Sequence, residues 1–126
     1  MLTHSPLIAF IPTKDTARAR RFYENLLGLR FLSDDAFAIV MDANGTMVRI
    51  VRVEEFTPFP FTLLGWQVDD IHKTIAEMTI KGLQFLRYPY FEQSPDGVWT
   101  APEGAKVAWF ADPDGNTLSL SQHSKL

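Results

Sequence analysis

The sequence predicts an α+β fold of two tandem βαβββ units, whose curled mixed sheets surround a cleft and carry their helices on the outer face. Three observations predict it. First, Val107 to Ser121 reads strand, tight turn, strand around Asp112-Pro113-Asp114-Gly115, and a weaker echo runs from Phe37 to Val51 around Asp42 and Gly45. Second, each hairpin follows a strand and a helix that starts at an aspartate, Asp15 or Asp70. Third, Gly28-Leu29-Arg30-Phe31-Leu32 matches Gly82-Leu83-Gln84-Phe85-Leu86. Neither half, at roughly 55 residues, buries a sheet well alone, so the two halves form one domain.

Taken in order, the apolar run Leu7 to Pro12 is the first strand. Lys14-Asp15-Thr16 offers capping side chains for a helix from Thr16 to Leu27. Its buried face is Ala19, Phe22, Tyr23, Leu26 and Leu27, at steps of three and four, and Gly28 is its C-cap. Strands follow at Leu29 to Leu32, Phe37 to Met41 and Met47 to Val53, which closes unit one at 7–53. Residues 54–61 hold two prolines and form a stiff linker. Unit two, 62–121, repeats the pattern. Thr62 to Val68 is a strand, Asp69-Asp70 starts a helix that buries Ile71, Ile75, Met78 and Thr79, and Leu83 to Arg87 is the next strand. Residues 88–104 form a long connection rich in Pro and Gly before the closing hairpin.

Composition narrows the function. The 126 residues are 46% hydrophobic and 21% charged, as in ordinary globular domains. A formal charge of −3 without a basic run gives no reason to expect a nucleic-acid partner. The lack of cysteine excludes disulfides, thiolate metal sites and a cysteine nucleophile. No signal-type leader is read, and no apolar run reaches the ~18 residues of a membrane span, so the expectation is a cytoplasmic protein without a membrane partner.

The signature Asp15, Phe22-Tyr23, Leu27-Gly28-Leu29, with the closing Asp112-Pro113-Asp114-Gly115-Asn116, resembles the vicinal-oxygen-chelate superfamily over roughly residues 7–121. That superfamily includes glyoxalase I, extradiol dioxygenases, fosfomycin-resistance transferases and bleomycin-binding resistance proteins. One scaffold hosts several chemistries, so the resemblance speaks for fold more than for reaction. It also implies where a metal would be held: seven residues before each helix-start Asp, and four after each turn Gly. Those positions are Ile8, Leu63, Arg49 and Ser119. Isoleucine and leucine have no lone pair to donate, and arginine repels a cation. The expectation is therefore no metal and no cofactor.

Strand alternation places other side chains beside those four positions. Ile8, Phe10 and Pro12 share a face in the first strand, and Leu63, Gly65 and Gln67 share one in the fifth. In the hairpins, Ile39, Arg49 and Val51 fall together, as do Trp109, Ser119 and Ser121. Gly65 would leave room for a ligand. The candidate ligand-binding residues are Arg49, Trp109, Ser119, Gln67, Phe10, Ile8, Leu63 and Trp99. Arg49 offers a planar donor fork for a carboxylate or phosphate, or else pairs with a protein carboxylate such as Glu54. Trp109 stacks on a flat ligand or packs in the core, and Trp99 is a lid residue or a loop anchor. Ser119 and Gln67 hydrogen-bond a ligand or water. His4, His72 and His123 occupy no family ligand position and read as surface residues.

The reading is a metal-independent protein that binds a small aromatic or anionic organic molecule. The alternative is a lyase, isomerase or dioxygenase-like enzyme of the same superfamily whose metal site the motifs do not reveal. A purely structural module is the third possibility. The resemblance also implies a homodimer.

Overall fold

A computed structural model describes residues 1–124. The chain forms two compact units, Met1–Thr57 and the segment from Pro58 onward. Unit one orders as β1 (Ile8–Thr13), α1 (Thr16–Arg20), β2 (Arg30–Asp34), β3 (Ala38–Ala43) and β4 (Thr46–Arg52). Unit two orders as β5 (Thr62–Gln67), α2 (Ile71–Ile80), β6 (Trp99–Thr100), β7 (Lys106–Ala111) and β8 (Thr117–Gln122). Each unit has a four-stranded mixed sheet, ordered β1-β4-β3-β2 and β5-β8-β7-β6, so the βαβββ pattern occurs twice.

Both helices start where the aspartates predict. Asp15 accepts a hydrogen bond from the Arg18 amide at 3.0 Å, and Asp70 accepts one from Lys73 at 3.1 Å. Gln122 adds a second cap to α2, accepting from the Ile71 amide at 2.8 Å. The first helix is not one regular α-helix. From Arg21 to Leu26 it widens into a π-helix, and the Leu27 amide reaches back five residues to the Phe22 carbonyl. The wider turn changes which side chains point inward. Ala19 and Tyr23 are fully buried, whereas Phe22, Leu26 and Leu27 are half-buried. In α2, Ile71, Ile75 and Met78 are buried as expected, but Thr79 is exposed.

In unit one, α1 packs against β3 and β4. Register puts Ile11, Ile50 and Ile39 in one row, and Ala9, Val48 and Met41 in another. These rows supply much of the unit's core. Arg49 lies opposite Val40 and Phe10, on the other face. Ile39 is therefore on the face opposite Arg49, which corrects the expected grouping. The cause is the turn. Asn44 and Gly45 form a two-residue loop with φ of 50° and 92°, a type I′ geometry. The closing hairpin of unit two has a five-residue loop, 112–116. An odd difference in loop length inverts the facing of one strand relative to the other.

The segment Leu83 to Arg87 is not a strand. It touches β7 through a single bridge, Phe85 to Phe110, and a 2.8 Å bond from the Leu86 amide to the Trp109 carbonyl. The Leu86 carbonyl is taken instead by the Gln93 side chain at 3.0 Å. The edge position passes to β6, so Trp99 sits in a short strand opposite Val107, not in a free lid.

Candidate ligand site on unit two

The face of the second sheet is set by β7 and β8. Trp109 pairs with Ser119, and Val107 with Ser121. Gly65 lies opposite Ser119 and Gln67 opposite Ser121. Trp109, Ser119 and Gln67 thus share one face, while Trp66 stacks toward Phe110 on the other. The register shifts between Thr62 and Leu64, so Leu63 falls at the irregularity. The gap expected at Gly65 is filled: a Cβ there would lie 2.5 Å from the Ser119 hydroxyl.

The long connection after Gly82 is tightly held. Arg87 donates to the carbonyls of Ser94, Gln93 and Pro95 at 3.0, 3.1 and 3.3 Å. Gln93 accepts from the Tyr88 amide at 2.8 Å and donates to the Gly97 carbonyl at 2.8 Å. Asp96 accepts from the Ser94 hydroxyl at 2.5 Å and pairs with His72 of α2 at 2.6 Å. Burial pushes the Asp96 carboxyl up, but the bonds from Ser94 and His72 outweigh it and leave its pKa below the ordinary value. His72 is thus engaged rather than a plain surface residue. The carboxylate stands between serine and imidazole, so the imidazole does not face the hydroxyl as it does in a nucleophilic triad.

These bonds deliver aromatic side chains to Trp109. Phe91 stacks on it at 5.2 Å with the planes 4° apart, and Tyr88 meets it edge-on at 5.4 Å and 85°. Trp99 lies 4.7 Å from Phe91 and 6.2 Å from Trp109. Tyr90 contacts both Tyr88 and Phe91. Beside this cluster is a cavity of about 140 Å³, lined by Pro60, Phe61, Thr62, Tyr88, Tyr90, Phe91, Trp109 and Thr117. Burial, with Tyr90 adding to it, pushes the Tyr88 phenol above its ordinary value. Phe61, Tyr88, Tyr90 and Phe91 were not among the sequence candidates. The aromatic pairs around Pro60 and Pro89 were the available signal.

In unit one, Phe10 and Ile8 are 59% and 48% exposed on the edge strand β1. Arg49 does not pair with Glu54. Its guanidinium lies 3.6 Å from Asp35. The amides of Phe37 and Ala38 hold the Asp35 carboxyl below its ordinary value against the opposing effect of burial, and Arg49 assists them.

The four positions that the resemblance assigns to metal ligands hold Ile8, Arg49, Leu63 and Ser119. Among the described residues, no group of three or more His, Asp or Glu side chains is placed to hold a metal ion. Those four side chains offer no carboxylate or imidazole donor.

The family model for the Glyoxalase/Bleomycin resistance protein/Dioxygenase superfamily matches residues 6–120, and the chain belongs to that superfamily. No curated protein matches the sequence. Among solved structures, a superfamily member from Sphaerobacter thermophilus DSM 20745 is similar with a TM-score of 0.75 and 22% identity, over 98% of this chain and 100% of that one. The antibiotic binding protein TnmS3 from Streptomyces sp. CB03234 gives 0.74 and 23%, over 98% and 99%. Lactoylglutathione lyase from Agrobacterium tumefaciens gives 0.73 and 13%, over 97% and 96%. At these identities the likeness speaks for fold.

Proposed function

We propose that the protein binds a small organic molecule without a metal, and that the aromatic pocket of unit two holds the ligand's least polar group. The observation that carries this reading is the convergence of Phe61, Tyr88, Tyr90, Phe91 and Trp109 on one cavity. Small-molecule sites are typically apolar and aromatic with a few polar groups. Trp99, Leu63, Ser119 and Gln67 are the supporting residues of the same unit. Ile8, Phe10 and Arg49 belong to the reading as ligand-facing residues of unit one, although an anionic group would have to displace Asp35 from Arg49. The antibiotic-binding relative supports sequestration as the mode of action. The protein works in the cytoplasm as a homodimer.

The test is a titration of the protein with single-ring phenols and their carboxylated counterparts, followed by tryptophan fluorescence and calorimetry. Binding of the phenols, weakened about tenfold or more by Trp109→Ala, is expected, since a buried aromatic anchor contributes on this scale. Undiminished binding by Trp109→Ala would place the ligand elsewhere. Stoichiometric uptake of a divalent metal together with turnover of a ketone, thiol adduct or catechol would replace this reading with the enzyme alternative.

A further inference from the structure

We infer that Asn44 is a site of covalent self-modification, where attack by the Gly45 amide nitrogen converts the asparagine to isoaspartate, and that Asp42 gates the reaction. The inference is independent of the ligand reading above and concerns unit one alone. Three features lead to it.

The first is the chemistry of the pair. The Gly45 nitrogen bonds to the side-chain carbonyl carbon of Asn44, and the bond from that carbon to the side-chain nitrogen breaks. Ammonia leaves with the proton that the Gly45 amide gives up. The cyclic imide then takes up water and opens at either carbonyl, and the isoaspartate product carries the chain through the former side chain. Glycine favours the attack because no Cβ crowds its nitrogen. Asn44-Gly45 is the one Asn-Gly pair in the chain. The other two asparagines precede Leu26 and Thr117. Asn116 is also buried, with its carboxamide bonded to Asp112 at 2.9 Å.

The second is access. Asn44 and Gly45 are both exposed, so water reaches the imide. Among the described residues, nothing bonds to the Asn44 carboxamide.

The third is the gate. A φ of 50° puts Asn44 in the left-handed region, where ψ is about +30 to +60°. There the Gly45 nitrogen is turned away from the Asn44 side chain, and the ring closes only once the turn opens. The Gly45 amide donates to Asp42 Oδ1 at 3.2 Å, which holds the turn shut. The carboxylate also opposes loss of the amide proton, because a second negative charge would form beside it. Isoaspartate adds a methylene to the backbone, which the two-residue loop between Ala43 and Thr46 has no room to absorb.

The experiment incubates the whole folded protein in mildly alkaline buffer, beside the same chain unfolded in urea. Trypsin then releases Phe31–Arg49, and chromatography with mass spectrometry scores its aspartate and isoaspartate forms against a zero-time sample. Conversion at Asn44 is expected in the folded protein, more slowly than in the unfolded chain, with Asn25 and Asn116 intact. Asp42→Ala should speed the folded protein about fivefold, the scale of one hydrogen bond, with its circular dichroism unchanged. Asp42→Ser, whose hydroxyl still accepts from the Gly45 amide without a charge, should fall between the two and carries the test where the alanine variant does not fold. No conversion of the folded protein by the time the unfolded chain has reacted would overturn the inference. Folded and unfolded rates that coincide, or variants no faster than wild type, would overturn the gate.

Discussion

The Asp112 carboxylate is the point at which the closing hairpin is most vulnerable. Asp112 is 5% exposed and Asn116 3%. Oδ1 accepts from the amides of Asp114 and Asn116, each at 2.9 Å, and Oδ2 accepts from the Asn116 side chain at 2.9 Å. Asp112→Ala removes these acceptors. The Asp114 amide is half-buried and can turn to water, but the Asn116 groups are buried. Leaving a buried donor unsatisfied costs about 1–3 kcal/mol, so the total loss comes to about 3–4 kcal/mol. Native domains hold about 5–15 kcal/mol, so the variant should still fold.

Urea denaturation read by tryptophan fluorescence measures the loss. The midpoint should fall with the slope unchanged, because the surface exposed on unfolding is the same. Asp112→Asn is the control. Its carbonyl still accepts from the two amides, and a flipped Asn116 can accept from its new NH₂, so it should lose only about 1 kcal/mol. If Asp112→Ala loses less than about 1 kcal/mol, the hairpin is held by strand pairing and the carboxylate is incidental. If the two variants lose equal amounts, charge rather than hydrogen-bond geometry is what the turn requires.

Gly65→Ala should cost about 1–2 kcal/mol, since its Cβ meets the Ser119 hydroxyl at 2.5 Å. Adding Ser119→Ala should recover most of that, measured as a double-mutant cycle in denaturant. Arg87→Ala should speed hydrogen exchange and protease cleavage within 88–98, because three carbonyls lose a donor; unchanged protection would show that Gln93 and Ser94 suffice. Asp35 has a depressed pKa, so its contribution is present above its unfolded value of 3.8 and is lost as pH falls through the lower folded value. The stability gap between wild type and Asp35→Asn should therefore hold near neutral pH and close below about pH 4, and a gap that widened there would reverse the assigned sign.

The local features were the legible ones. Asp15 and Asp70 announced both helices because a short carboxylate caps its own helix without distant help. Asp112 with Gly115 announced the final hairpin in the same way. What escaped depends on partners far along the chain. Leu83 to Arg87 has a strand's composition, yet Gln93 takes its Leu86 carbonyl and so breaks the ladder. The π-helical turn at Arg21–Leu26 leaves no mark in the apolar spacing. Of the candidate residues, Trp109, Ser119 and Gln67 met on one sheet face because alternation over a regular strand is reliable. Tyr88, Tyr90 and Phe91 were read as loop, and a loop gives no periodicity from which a facing can be deduced.

The first hairpin shows how one turn divides two otherwise matching units. Aligning Asp42 and Gly45 with Asp112 and Gly115 suggests equal hairpins, but Asn44-Gly45 is itself the signature of a two-residue loop. With that loop, Arg49 faces Val40 and ties to Asp35. With five residues in the other loop, Trp109 faces Ser119 and receives Phe91 and Tyr88. The repeated scaffold thus yields a face whose charge is met from within in unit one, and an aromatic face beside a cavity in unit two. A ligand reading built on equivalence of the halves weights Arg49 and Trp109 alike. The register shifts that weight to Trp109, because its partners build a pocket whereas the partner of Arg49 neutralises it.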